Sequence, residues 1–346
     1  MTTIFDTLPD SAFWRSGVVS GGPFDLTGLF QPKFPVTRDV AVATAGSCFA
    51  QHVGHALRGA GLAVLDVEPA PEGLDPATAR SFGFNLYSAR YGNIYTAAQM
   101  RQLLQDTLEL TLRPAAIWTR QGRFYDAIRP GVDPDGCASR SEVQALRHFH
   151  LTRLQDLFAR AALFVFTLGM TEGWRDAIGT VYPTAPGVIA DPPEAVTFHN
   201  FTFAEVVADL HAIRALLHHF NPAIKLLLTV SPVPLTATVS GRHVLAATTF
   251  SKAILRAAVD EFARDLADVD YVPSYEIINH PAARGRFFAA NLRSVTQEGV
   301  DLVMGQFLAA HGLRVLPAVA ATKATPPDDP ASDLICEEAL AEAFRP

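Results

Sequence analysis

Residues 39–50 read DVAVATAGSCFA, and this stretch decides the fold. The run at 39–44 is short, apolar and β-branched, as expected of a buried strand. Gly46-Ser47 ends it. Residues 48–59 then carry Phe49, Val53, Ala56 and Leu57 at helical spacing until Gly59 and Gly61 stop the pattern. The reading is strand, tight turn, helix, with a serine at the turn. Outward from it the same alternation recurs. Residues 62–67 form a second strand candidate, and LFVFTL at 163–168 is a near-continuous apolar run of the kind found in parallel strands buried on both faces. KLLLTV at 225–230 is the next strand, and 270–272, with an extension to 278 left open, is the last. Helices are expected over 96–112, 141–162 (Ser141 as N-cap), 203–220, 246–266 and 296–312. Strands alternating with helices predict an α/β protein with a parallel sheet in three layers.

Around this core, residues 1–37 are rich in Gly, Pro and Phe without a period and read as an irregular arm lying on the domain. The α/β domain is expected over 38–315. Residues 316–346 read as an Ala/Pro/Asp-rich linker followed by a short acidic helix. Gly/Pro-rich segments at 169–201 and 231–241 are excursions from strand ends.

The chain has 346 residues, 49% hydrophobic and 18% charged, with a formal net charge of −7. That composition supports a large core and excludes a disordered protein. The charges are dispersed, so neither a nucleic-acid stripe nor a lipid-binding polybasic segment is expected. The amino-terminal residues lack the apolar run of a signal peptide, and no stretch has the length of a membrane span. Cys48, Cys137 and Cys336 are an odd number at wide spacing. They fit a reducing cytoplasm and give no zinc-ligand pattern, so no metal is expected. Oligomerisation is left open.

Ligands of open α/β sheets bind at the carboxyl ends of the strands, and each strand end here is polar or glycine-rich. Ser47 would sit at a helix N-terminus, where free N–H groups favour developing negative charge. It reads either as a nucleophile, with the Cys48 N–H as an oxyanion donor, or only as an N-cap. Gly92-Asn93 offers further oxyanion donors or a plain turn. Glu172 could orient a histidine, bind a sugar hydroxyl or cap a helix, and Trp174 lies beside it. His243 and His199 fall in strand-end excursions, which makes them the candidate general bases. His52 and His55 have i, i+3 spacing but no completing carboxylate. A Walker loop, a G-x-G-x-x-G fingerprint and a G-x-S-x-G elbow are missing from the sequence.

The pentapeptide Gly46-Ser47-Cys48-Phe49-Ala50 resembles the signature of the GSCFA domain family, grouped with SGNH/GDSL-type hydrolases. The resemblance extends in order through YGNIYT (91–96), FTLGMTEGW (166–174), TVSPVPL (229–235), HVLAATTFSKAILR (243–256) and PSYEI (273–277). It implies a flavodoxin-like α/β/α fold and Ser47 as the nucleophile. It also places Gly92-Asn93 and Gly169-Thr171 near the family's oxyanion blocks, with Thr171 where many SGNH enzymes carry asparagine. The D-x-x-H motif that supplies the SGNH base corresponds to Asn291-Leu292-Arg293-Ser294, so both catalytic side chains are replaced. An amide and a hydroxyl cannot act as an imidazole does at neutral pH. His243 is then expected as the substitute base, with His199 second, so that His243→Ala should abolish turnover. Trp174, Arg242, Lys252 and Arg293 are expected to bind substrate. Three functions follow: an esterase acting on O-acyl groups of carbohydrates, an acyl-CoA-dependent O-acyltransferase of polysaccharide biosynthesis, or a ligand binder that has lost its base. Only the transferase calls for a cofactor, CoA.

Overall fold

A computed structural model describes residues 3–313. In chain order the elements are β1 (Val42–Gly46), α1 (Phe49–Gly59), α2 (Pro76–Ser81), α3 (Ala97–Glu109), β2 (Ile117–Arg120), β3 (Arg123–Asp126), α4 (Arg140–Arg160), β4 (Leu163–Leu168), β5 (Glu172–Asp176), β6 (Val181–Tyr182), β7 (Val196–Asn200), α5 (Phe203–Phe220), β8 (Lys225–Val230), α6 (Val244–Ala263), β9 (Val269–Val272), α7 (Ser274–Asn279) and α8 (Gln297–Ala310). The central sheet has the order β1-β4-β8-β9, and every pair in it is parallel. Alternate side chains of each strand enter opposite cores. Ala43, Ala45, Phe164, Phe166, Leu226 and Leu228 pack under α3 to α6. Val42, Leu163, Val165 and Leu227 face the other way, under α1, α7 and α8. The result is the expected three-layer α/β/α sandwich. Each Phe or Leu fully buried in it stabilises the fold by roughly 1.5–3 kcal/mol.

The helices start where polar side chains take the free N–H groups. Thr96 and Thr202 form capping boxes with Gln99 and Glu205, and Thr296 caps α8. Ser139, not Ser141, caps α4: its Oγ accepts the Glu142 N–H at 3.1 Å. The strand expected at 62–67 reduces to one parallel bridge, Val42↔Val64, on the free edge of β1. The extension of the last strand to 278 is also corrected, because Pro273 ends β9 and α7 begins at Ser274. The excursion at 169–201 contains a three-stranded antiparallel sheet, β6-β5-β7. A hairpin, β2-β3, packs near it.

The amino-terminal segment inserts Leu26, Phe30, Phe34 and Val36 into the core beneath α8. Residues 314–346, which include Cys336, the linker and the acidic helix, lie outside the described residues. One buried ionic network ties α3, α4 and the hairpin together. Asp106 accepts from Arg113 at 2.7 Å and from Arg147 at 2.6 Å, while Asp126 accepts from Arg129 at 2.9 Å and from Arg147 at 3.3 Å. No helix among the described residues is long and apolar enough to cross a membrane.

Candidate active site at the carboxyl end of the sheet

The turn that carries Ser47 is built on glycine. Gly46 has φ +144°, and a Cβ there would lie 2.5 Å from the Thr167 carbonyl oxygen. Only glycine lets β1 press this closely on β4 and still turn into α1. Ser47 follows, 2% exposed. Its N–H donates to Thr167 O at 3.1 Å, and its carbonyl accepts from Ala50 N at 2.8 Å. The Oγ is buried and has no hydrogen-bond partner. The hydroxyls of Thr44 and Thr167, on the same two strands, are also unpartnered. Cys48, not Ser47, is the residue before the first helical position of α1. The serine therefore makes no capping bond, and the N-cap reading of Ser47 is set aside.

Three chain segments are locked against this turn. Ile94 N–H donates to Gly46 O at 2.8 Å. Tyr95 O accepts from the N–H groups of both Gly169 (2.8 Å) and Met170 (3.1 Å). Ser231 N–H donates to Leu168 O at 2.8 Å. Beneath the serine lies a buried polar network. Tyr87 Oη donates to Ser47 O at 3.2 Å and also bonds Asn93 Oδ1, which accepts from Gln51 Nε2 at 3.1 Å. Gly92, with φ +68°, turns the chain into Asn93. With Oδ1 held by Tyr87 and Gln51, the amide Nδ2 is the donor end of Asn93.

The segment after β4 is held by α6. Thr171 N–H donates to Ser251 Oγ at 2.9 Å, and the buried Lys252 Nζ donates to Gly169 O at 2.5 Å. Gly169 packs directly on Ser47, since a Cβ on it would lie 2.8 Å from Ser47 Cβ. Through Gly169, Lys252 is the ionisable side chain tied to the serine's own neighbour. It is thus buried support for the strand end and not a surface contact for substrate, as the sequence had suggested.

Several expected roles are corrected by these bonds. The Gly169 N–H is spent on Tyr95 O, and Thr171 spends its N–H on Ser251 and its Oγ1 on Asn200 Oδ1 at 2.7 Å. Neither supplies an oxyanion donor. His243 is exposed at the start of α6, and its Nδ1 accepts the Leu245 N–H at 3.1 Å. That bond fixes the tautomer with the proton on Nε2, which leaves no ring nitrogen free to accept a proton from serine. His199 pairs with Glu205 through Nε2 at 2.9 Å. Neither histidine reaches Ser47 Oγ. Arg242 sits over the Phe250 ring at 4.5 Å. Asn291 and Ser294 bond each other, and Asn291 Oδ1 accepts the N–H groups of Arg293 and Ser294 at 3.0 and 2.9 Å. The D-x-x-H positions have become an Asx turn, with the half-buried Arg293 inside it.

Ser47, Cys48, Tyr95, Gly169, Ser231 and Leu235 line a pocket of about 10 Å³, the space of one water molecule. Beside it is a cavity of about 130 Å³ walled by β5, β7 and residues 183–188 and 236–239. Met170 lines both, and Leu235 and Thr236 are consecutive residues of the partition. Glu172 and Trp174 belong to this second cavity. Burial pushes the Glu172 carboxyl above its ordinary value, opposed by the Thr238 hydrogen bond and the Arg242 charge. Among the described residues, no group of His, Cys, Asp and Glu has a metal-binding arrangement.

Tyr87, Gln51 and Ser251 were missed in the sequence. Ser251 lies within TTFSK, inside a segment that carried the family resemblance, whereas Tyr87 and Gln51 had no signal beyond their nearness to Gly92 and Ser47. The GSCFA family model matches residues 41–307, which include every residue of this site. No curated protein matches the chain.

Proposed function

The chain belongs to the GSCFA family, and from that premise we propose that it is a serine enzyme acting on acyl esters, with O-acyl groups on carbohydrates as its substrate class. The observation that carries the reading is Ser47 Oγ itself. It is a buried hydroxyl without a partner, at the start of a helix, set there by a turn that only glycine can make. In this reading Oγ attacks the ester carbonyl carbon, and its proton passes to Lys252 Nζ, which must first turn from Gly169 O toward the unpartnered Oγ. Lysine can serve as a base when a buried setting favours its neutral form. The oxyanion forms at the N-terminus of α1, where the helix dipole favours developing negative charge. Collapse expels the alcohol, which takes the proton from Lys252. Water then cleaves the Ser47 ester by the same route, releasing the carboxylic acid.

The water-sized pocket favours a second reading. A site that excludes bulk water protects an acyl-enzyme long enough for an alcohol acceptor to take the group. An acyl-CoA donor in the cytoplasm would then make the protein an O-acyltransferase. A rise in melting temperature with CoA would favour it, because a ligand bound only by the native state stabilises that state.

Turnover of p-nitrophenyl acetate separates these ideas. Ser47→Ala should abolish it. Lys252→Met removes the amine and should lower kcat by about 10²–10⁴-fold. Partial rescue of the variant by added small amines, with a rate that follows the amine's basicity, would separate a base from a merely structural lysine. His243→Ala should retain activity. Activity that survives in Ser47→Ala would sink the proposal, and a wild-type protein inert toward acyl esters and CoA thioesters would leave the ligand-binding alternative standing.

A further inference from the structure

Next to the serine pocket lies a cavity that the reaction chemistry does not use. Its walls are mostly apolar: Met170, Trp174, Pro183, Val188, Phe198 and Val239. Trp174 and Phe198 pack edge to face at 5.9 Å on neighbouring strands β5 and β7. Val239 is 60% exposed, which places the mouth at the tip of the 231–241 loop. The inner end is the partition with the Ser47 pocket, made by Met170 and the Leu235-Thr236 step. At that partition Thr236 Oγ1 is buried with no hydrogen-bond partner.

Resting on the acyl-ester reading, we infer that this cavity is the acyl-chain subsite, and that the enzyme prefers esters of unbranched acids several carbons long over acetate. A sugar ring needs several convergent donors and acceptors. Here one oxygen of Glu172 accepts from Thr238 Oγ1 at 2.8 Å, the other polar groups in the wall are threonines, and the remaining surface is aliphatic and aromatic. An aliphatic chain needs only that surface. With the chain in the cavity, its carboxyl end lies at the partition, where the Thr236 hydroxyl meets the ester oxygen and Met170 must swing aside to admit the carbonyl to Ser47. The sugar alcohol then occupies the outer, solvent-facing side.

The test uses p-nitrophenyl esters from acetate to dodecanoate. Burial of each methylene should raise kcat/KM about fourfold until the cavity is full, after which the rate falls. Ala185→Trp, which fills the cavity from its wall, should abolish that rise. A binding readout keeps this inference separate from the reaction. Octanoate should raise the melting temperature of Ser47→Ala and not that of Ser47→Ala with Ala185→Trp. If that binding is seen without any ester turnover, the subsite stands and the acyl-ester reading fails. A flat chain-length profile with Ser47-dependent turnover, together with no octanoate shift, would overturn the subsite and leave the reading intact.

Discussion

Gly169→Ala tests whether the position of Ser47, the proposed nucleophile, depends on the residue that Lys252 holds. The added methyl would sit 2.8 Å from Ser47 Cβ and 3.2 Å from Tyr95 O, against an ordinary contact of 3.4–4 Å. Something must therefore move by about 0.6 Å. The Tyr95 carbonyl cannot give way easily, because it accepts from both Gly169 and Met170. Ser47 is held by its own bonds to Thr167 and Ala50. Overpacking of this kind costs about 1–3 kcal/mol. For a domain of this size that is a fall in melting temperature of roughly 2–5 °C. The catalytic loss should be larger than the stability loss implies, since displacement of a reacting group by about 1 Å costs on the order of 10²-fold in rate. Melting curves and esterase rates on the same preparation measure both. Gly59→Ala is the control, because a methyl there meets nothing within 4 Å. A Gly169→Ala protein with wild-type melting temperature and wild-type reactivity of Ser47 would refute the close packing on which the site rests.

Two further predictions concern stability. Burial, reinforced by the charge of His55, lowers the His52 pKa to about 4 in the folded state. The unfolded chain therefore takes up a proton near pH 6.5 that the folded chain refuses, and stability falls as pH drops from about 6.5 to 4. Urea unfolding at pH 7 and pH 5 should show His52 contributing about 2 kcal/mol of that fall, and His52→Phe should remove this share; an unchanged pH dependence in the variant would contradict the assignment. Asp106→Ala strands Arg147 and part of Arg113 in a buried network, so it should cost about 3–5 kcal/mol. Denaturant unfolding that gives less than about 1 kcal/mol would show the network to be hydrated.

The sheet was legible because its strands obey the simplest rule available. Phe164 and Phe166 point to one face and Leu163 and Val165 to the other, both faces are buried, and the sequence is apolar without a break. The ends of 163–168, 203–220 and 225–230 matched what the residues predict for the same reason. The region at 169–201 was harder. In its small sheet the buried positions of β5 include the polar Glu172 and Asp176, and β7 is only half-buried, so β5 and β7 carry Glu172, Arg175, Thr197 and His199 and lack alternation. At the site, Ser47 and Asn93 were singled out as nucleophile and oxyanion candidates and Lys252 as a substrate contact. Their roles depend on bonds between segments far apart in sequence, and no local pattern encodes those. His243 illustrates the limit. Its place at a strand-end loop suggested a base, but a residue just before a helix is equally placed to cap it, and the Leu245 N–H takes the nitrogen that catalysis would need.

The central claim is that Ser47 Oγ forms a covalent acyl intermediate, and intact-protein mass spectrometry after treatment with a fluorophosphonate or a p-nitrophenyl ester tests it directly. The account predicts one adduct per chain, mapped by peptide sequencing to Ser47, absent from Ser47→Ala and slowed in Lys252→Met. An adduct on Cys48 or elsewhere that persists in Ser47→Ala, or ester turnover with no Ser47 adduct, would contradict it.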